Sequence, residues 1–250
     1  MLSVVNRRKQ APRGYETEIH RGPRIVLSRA GVNLATSPPT IKSFFFDGPA
    51  GRLEALLDAG SSSATHAALV CHPHPLGGGT MHNKVVFHVM KALNSYGFPV
   101  LRFNFRGTGL SAGQHDEGRG EIADVESALA WLKREFELPI IFAGFSFGAA
   151  TGLRAACPHP DVKALISIGT PVEADGRMYS YSFLRHCAKP KLFVSGDHDQ
   201  YGPQAALQAL VAQVAPPKKL IFVPGDHFFQ GHLSELRTAV ESWLRELLGG

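Results

Sequence analysis

Three short stretches of this chain hold residue types that together could attack a carbonyl group. Gly144-Phe145-Ser146-Phe147-Gly148 has the form G-x-S-x-G and follows the apolar run 138–142. Such a pentapeptide holds a serine on a tight strand-to-helix turn, where flanking glycines admit neighbouring backbone and the hydroxyl projects from the sheet edge. Taken alone, a serine in a Gly-rich loop is ordinary turn chemistry. Its surroundings add to it: Ile140, Ile141 and Phe142 predict a strand, and Ala149, Ala150, Leu153, Ala155 and Ala156 predict a small-residue helix packed close to it. A serine hydroxyl is a weak nucleophile at neutral pH, so it needs a base within hydrogen-bond reach and a third group to orient that base. Gly196-Asp197-His198-Asp199 follows the run 191–195, and Gly225-Asp226-His227-Phe228-Phe229 follows the run 220–223. Both sets lie beyond the carboxyl end of a predicted strand, on the same edge as Ser146, where open α/β sheets gather their functional loops. His227 is the expected base, chosen for its position after the last strand, because twelve histidines make abundance uninformative. Asp199, fourth in a G-x-x-D turn, is the expected acid. Asp197 is read as a brace of that turn, and Asp226 as structural because it faces away from the imidazole in an extended loop.

Acyl transfer at Ser146 also requires fixed donors for the charge that develops on the carbonyl oxygen. The Phe147 N–H qualifies by position. A second donor is expected from His72-Pro73-His74-Pro75-Leu76-Gly77-Gly78-Gly79-Thr80, where the prolines have no N–H and His74 or Leu76 are the nearest candidates, His74 preferred. The histidines of this region, His72, His74, His82 and His88, admit a metal-binding reading, but prolines stiffen the loop and no Asp or Glu lies nearby to complete a shell. No metal is therefore expected, and His72 is read as a brace of its loop. Phe103-Asn104-Phe105-Arg106-Gly107-Thr108-Gly109 lacks the Lys-Ser/Thr and glycine spacing of a phosphate loop. Arg106 is read as a loop organiser, for instance by bonding backbone carbonyls, with recognition of an anionic substrate as the minor alternative.

The elements that must position these residues follow from the apolar pattern. Strands are predicted at 41–46, 53–57, 67–71, 100–105, 140–142, 164–168, 191–195 and 220–223, the first two as a hairpin around Asp47-Gly48-Pro49-Ala50-Gly51 and the later ones as runs covered on both faces. Helices are predicted at 85–95, 121–136, 149–156, 204–214 and 233–248, with Val125, Leu129 and Leu132 forming a clear stripe. Residues 176–187 are less regular, and Tyr179, Tyr181 and Phe183 there are read as a partly buried loop or short helix, with a pocket wall as the alternative. The 250-residue length suits one domain with a sizeable core, and 44% apolar against 19% charged residues argues against disorder or membrane spans. Residues 1–37 hold seven Lys or Arg against two Glu, whereas 38–250 carry nineteen basic and nineteen acidic residues. The basic charge thus belongs to a tail, read as a disordered extension with an organellar transit peptide as the minor alternative, and the domain 38–250 loses the electrostatic case for binding nucleic acid. Cys71, Cys157 and Cys187 are far apart without a C-x-x-C, which fits a reducing, cytoplasmic setting. The amino terminus lacks a secretory apolar core.

CHPHPLGGGTMHNKVV (71–86), LRFNFRGTGLSAG (101–113), AGFSFGA (143–149) and PGDHFFQGHL (224–233) make the chain resemble an α/β-hydrolase, and within that superfamily a bacterial group of small, cap-poor serine hydrolases. The resemblance runs from about residue 40 to the end. It implies an eight-stranded, mostly parallel sheet with helices on both faces and no large lid, with Ser146, Asp199 and His227 as the triad. It further implies a carboxylic-ester hydrolase, or an acyl-transfer relative using water, that needs no cofactor. Small to medium acyl esters are the expected substrates, with Phe145, Phe147, Phe228 and Phe229 as an apolar wall or as plain core. Thioester or amide cleavage by the same groups, and a non-catalytic protein that binds a ligand on this fold, are the alternatives. The expected partner is a small-molecule ester, with no nucleic acid and no membrane; a homodimer is an open assembly state.

Overall fold

The computed structural model describes residues 41–174 and 176–249, so the expectation for the tail 1–37 lies outside the described residues. The described residues begin with an antiparallel hairpin, β1 (Ile41–Gly48) and β2 (Gly51–Asp58), in which Gly48 faces Gly51. Gly51 adopts φ 112°, a conformation that an L side chain resists. Then strands and helices alternate: β3 (Ala67–Cys71), α1 (Lys84–Asn94), β4 (Val100–Phe103), α2 (Gly120–Phe136), β5 (Ile140–Phe145), α3 (Phe147–Ala156) and β6 (Val162–Ile168). A two-stranded ribbon, β7 (Glu173–Ala174) with β8 (Arg177–Met178), precedes β9 (Lys191–Gly196), α4 (Gln204–Ala212), β10 (Lys218–Val223) and α5 (Leu233–Leu248).

Eight strands form one sheet in the order β1-β2-β4-β3-β5-β6-β9-β10. Strand β2 runs antiparallel to both of its neighbours, and the other pairings are parallel. Because side chains alternate across a strand, the buried runs feed two cores. Leu69, Cys71 and Phe142 pack on one face with Val125, Leu129 and Leu153 of α2 and α3. Ala68, Val70 and Ile141 pack on the other with Val89, Leu93, Val240 and Leu244 of α1 and α5. This two-sided burial is what the continuous apolar runs anticipated. Among the described residues, no helix is long and apolar enough to cross a membrane.

All eight expected strands and five expected helices are present. Several boundaries differ by a few residues, and two of them have clear local reasons. Strand β4 stops at Phe103, because Asn104 and Phe105 turn to loop contacts: Asn104 Nδ2 donates to Glu54 Oε2 at 2.8 Å, and Phe105 N–H donates to His72 Nε2 at 3.0 Å. Helix α4 ends at Ala212, where Lys218 Nζ donates to the carbonyls of Val211, Ala212 and Val214. The irregular segment holds a 3₁₀ turn, Ser182–His186, in keeping with the short-helix reading, and the β7–β8 ribbon, which was not expected.

The chain leaves central strand β3 toward β4 on one side, and β5 lies on the other. Ligands of open α/β sheets bind at the carboxyl ends of strands at such a reversal. Here that crevice lies between the loop after β3 and the turn after β5.

Candidate active site

Ser146 joins β5 directly to α3 with φ 54° and ψ −120°, a conformation rare for a residue with a side chain. The turn holds because its neighbours are glycines. A Cβ on Gly144 would stand 2.5 Å from the Gly148 carbonyl oxygen, and one on Gly148 would stand 2.4 Å from that of His72. Ser146 N–H donates to Ile168 O at 2.9 Å, pinning the turn to the end of β6.

The imidazole of His227 lies against this serine. Its Nε2 is 2.9 Å from Ser146 Oγ, and its Nδ1 is 2.9 Å and 3.0 Å from the two carboxylate oxygens of Asp199. Residues supplied by three separate loops thus form one hydrogen-bonded chain. Both Asp199 and His227 are buried. Asp199 is held on four sides, its Oδ1 accepting from the Tyr201 and Gly202 N–H groups and its Oδ2 from the Ser195 hydroxyl as well as from His227. Burial pushes the Asp199 pKa up, but the hydrogen bond and charge of His227, with help from Ser195 and Tyr201, outweigh it and hold the carboxyl below its ordinary value. With Asp199 ionised, Nδ1 carries the proton and Nε2 is left to accept from the serine.

Two other aspartates have the local roles read from the sequence. Asp197 Oδ1 accepts from Gly225 N–H at 2.9 Å, bracing one loop on the other. Asp226 Oδ1 accepts from the Phe228 and Gln230 N–H groups in a turn of its own. Ser195 has no counterpart in the sequence reading. It lies inside an apolar strand, and only its separation of four residues from Asp199 hinted at a contact across the turn.

The loop after β3 is fixed by His72, which is fully buried. Its Nδ1 donates to Pro73 O at 2.7 Å, while its Nε2 accepts from Phe105 N–H. Burial lowers its pKa to about 4, so the ring is neutral near pH 7. Both ring nitrogens are engaged, which leaves His72 no lone pair for a metal. Among the described residues, no group of three or more His, Cys, Asp or Glu side chains is placed to hold a metal ion. His74 lies over Phe147, ring centroids 4.8 Å apart, and its Nδ1 accepts from Leu76 N–H at 3.2 Å. The Leu76 amide is therefore engaged within its own loop. Arg106 organises its loop as expected, but through a different partner: it pairs with the buried carboxylate of Asp124 at 2.7 Å, not with backbone carbonyls. Asp124 belongs to α2, where the helical period marked only the apolar stripe.

Ser146 and His227 open into a cleft of about 960 Å³. Phe147, Phe228, Tyr179 and Tyr201 line it, whereas Phe145 and Phe229 are core. Of the segment read mainly as a partly buried loop, Tyr179 reaches the cleft. Tyr181 is buried and donates its hydroxyl to Pro171 O at 2.8 Å.

The same architecture is found in a solved alpha-beta serine hydrolase homologue from Coxiella burnetii, which is 38% identical, with a TM-score of 0.75 over 81% of this chain and 97% of that one. A family model of the alpha/beta hydrolase fold matches residues 69–183. The chain belongs to the alpha/beta-hydrolase family. Another hydrolase of known structure, XC6422 from Xanthomonas campestris, described as an a/b serine hydrolase without lid, is 33% identical with a TM-score of 0.74, covering 84% of this chain and 96% of that one. The chain is also 35% identical over 208 residues to RP471 of Rickettsia prowazekii (strain Madrid E), an uncharacterized protein, across 80% of this chain and 87% of the relative.

Proposed function

We propose that this hydrolase cleaves small to medium carboxylic esters through an acyl-enzyme on Ser146. One observation carries the reading: His227 Nε2 stands 2.9 Å from the Ser146 hydroxyl while Asp199 holds Nδ1. In this reading Ser146 Oγ attacks the ester carbonyl as its proton passes to His227 Nε2, and Asp199 stabilises the imidazolium so formed. Collapse of the tetrahedral intermediate breaks the carbon–oxygen bond, and the proton on Nε2 leaves with the alcohol. Water then attacks the acyl-serine, gives its proton to His227 and releases the carboxylic acid, with the serine proton restored.

The donors assigned to the oxyanion are the backbone N–H groups of Phe147, directly after the nucleophile, and of His74. Leu76 is the weaker choice because its amide already donates to His74 Nδ1. One such donor contributes about 3 to 4 kcal/mol to the transition state. Small to medium substrates fit a cleft of about 960 Å³ walled by Phe147 and Phe228. The cytoplasm is the proposed setting, in keeping with three free cysteines.

The test is a series of p-nitrophenyl esters of graded chain length, assayed with and without residues 1–37. A burst of p-nitrophenol equal to the enzyme concentration, abolished in Ser146→Ala and indifferent to chelator, is expected. Turnover that survives Ser146→Ala, or that a chelator removes, refutes the reading.

A further inference from the structure

One wall of the Ser146 cleft carries a positive charge that the proposed chemistry leaves unused. Arg177, on β8, lines the same cleft as Ser146 and His227. Its Nη1 donates to the Glu117 carbonyl oxygen at 2.9 Å, and its guanidinium lies over the Tyr179 ring, 5.3 Å from the centroid. These contacts orient the group without neutralising it, because one partner is a carbonyl and the other a ring face.

The carboxylates of the facing segment are committed elsewhere. Glu121 accepts from the N–H groups of Asp116 and Gly118, Asp116 pairs with Arg119 at 3.1 Å, and Glu117 turns to Arg119 at 3.7 Å with its side chain 71% exposed. Among the described residues, the ion pairs include none to Arg177. Gly118 lies between the two groups: a Cβ there would stand in ordinary contact with both, 3.5 Å from the Phe147 ring and 3.8 Å from Arg177 Nη2. The guanidinium and the residue after Ser146 therefore flank one point of the cleft wall. A guanidinium has five N–H donors in a planar fork that matches a carboxylate, and the protein engages one of its nitrogens here.

We infer that Arg177 binds a carboxylate on the substrate, so that the preferred esters bear a second, anionic group beyond the scissile bond. The inference rests on the reading of Ser146 as nucleophile and names the substrate class of that site. Arg177 acts by binding and takes no part in bond making.

Two substrate pairs test it, each compared after correction for alkaline reactivity. Mono-p-nitrophenyl adipate against p-nitrophenyl hexanoate places the charge on the acyl side; para-acetoxybenzoate against phenyl acetate places it on the leaving group. At least one charged member is expected to have a kcat/KM about tenfold or more above its neutral partner, the range of a charge-assisted hydrogen bond. Arg177→Gln should erase that preference through KM with kcat and the neutral esters unaffected, and Arg177→Glu should shift preference to p-nitrophenyl aminohexanoate. The inference is overturned if neither pair shows a preference, or if a preference survives both substitutions. Should no ester turn over, the catalytic reading fails separately. Calorimetric titration with adipate then decides the binding site, since heat lost in Arg177→Gln supports it and the absence of Arg177-dependent binding overturns it.

Discussion

Asp199→Asn is the exchange in which the structure makes the sharpest demand. The carboxylate accepts from His227 Nδ1 and from three further donors, Ser195 Oγ and the N–H groups of Tyr201 and Gly202. An asparagine keeps one acceptor oxygen. If that oxygen stays at the Oδ1 position to receive the two backbone donors, the amide NH₂ takes the Oδ2 position, 2.9 Å from His227 Nδ1. Two N–H groups cannot face each other there, so Nδ1 becomes the acceptor and the ring proton moves to Nε2. The imidazole then presents N–H to Ser146 and cannot take its proton. In the serine proteases the same exchange lowers kcat about 10⁴-fold, or about 5 kcal/mol in activation free energy, and a loss of that order is expected here. Asp197→Asn is the control. Asp197 accepts from Gly225 N–H at 2.9 Å, a bond that an asparagine oxygen can also accept, so its loss should stay within about tenfold. Burst and steady-state rates on p-nitrophenyl acetate, with circular dichroism to confirm folding, measure both. Equal losses, or a larger loss at Asp197, would refute the reasoning.

Other expectations follow from the supporting loops. His72 is buried with Nε2 accepting from Phe105 N–H, so a proton on that nitrogen would set two donors against each other. With its pKa near 4 in the fold and an ordinary value of 6.5, the unfolded chain takes up the proton first as pH falls. Stability should therefore decline between about pH 6.5 and 4, by about 3 kcal/mol in all, and urea titrations of His72→Gln should show a shallower slope over that window. Gly148→Ala places a methyl group 2.4 Å and 2.6 Å from the backbone oxygens of His72 and Cys71; a loss of at least about 2 kcal/mol is expected by thermal unfolding, and unchanged stability would contradict the elbow geometry.

Local signals in the sequence carried most of the frame. The runs holding Leu69, Ile141 and Val194 are apolar without alternation because both faces of those strands are covered, and that burial is visible residue by residue. Ser146, Asp199 and His227 were readable because each follows a strand whose carboxyl end must lie on one sheet edge. Partners chosen across long separations were not readable. Asp124 meets Arg106 through the packing of α2 on the sheet, and no period in α2 distinguishes a buried carboxylate from a solvated one. Ser195 is closer in sequence to its partner, but it sits in a strand interior, where only the four-residue separation from Asp199 hinted at the contact. The β7–β8 ribbon has strands of two residues, too short to show alternation, so Arg177 at the cleft had no signature.

The most direct measurement of the central claim is labelling by a fluorophosphonate, which reacts only where a serine is activated as a nucleophile. The account predicts one label per chain, located at Ser146 by peptide mass spectrometry, lost in Ser146→Ala and strongly slowed in His227→Ala. A folded protein that takes no label, or that is labelled equally in Ser146→Ala, would contradict it.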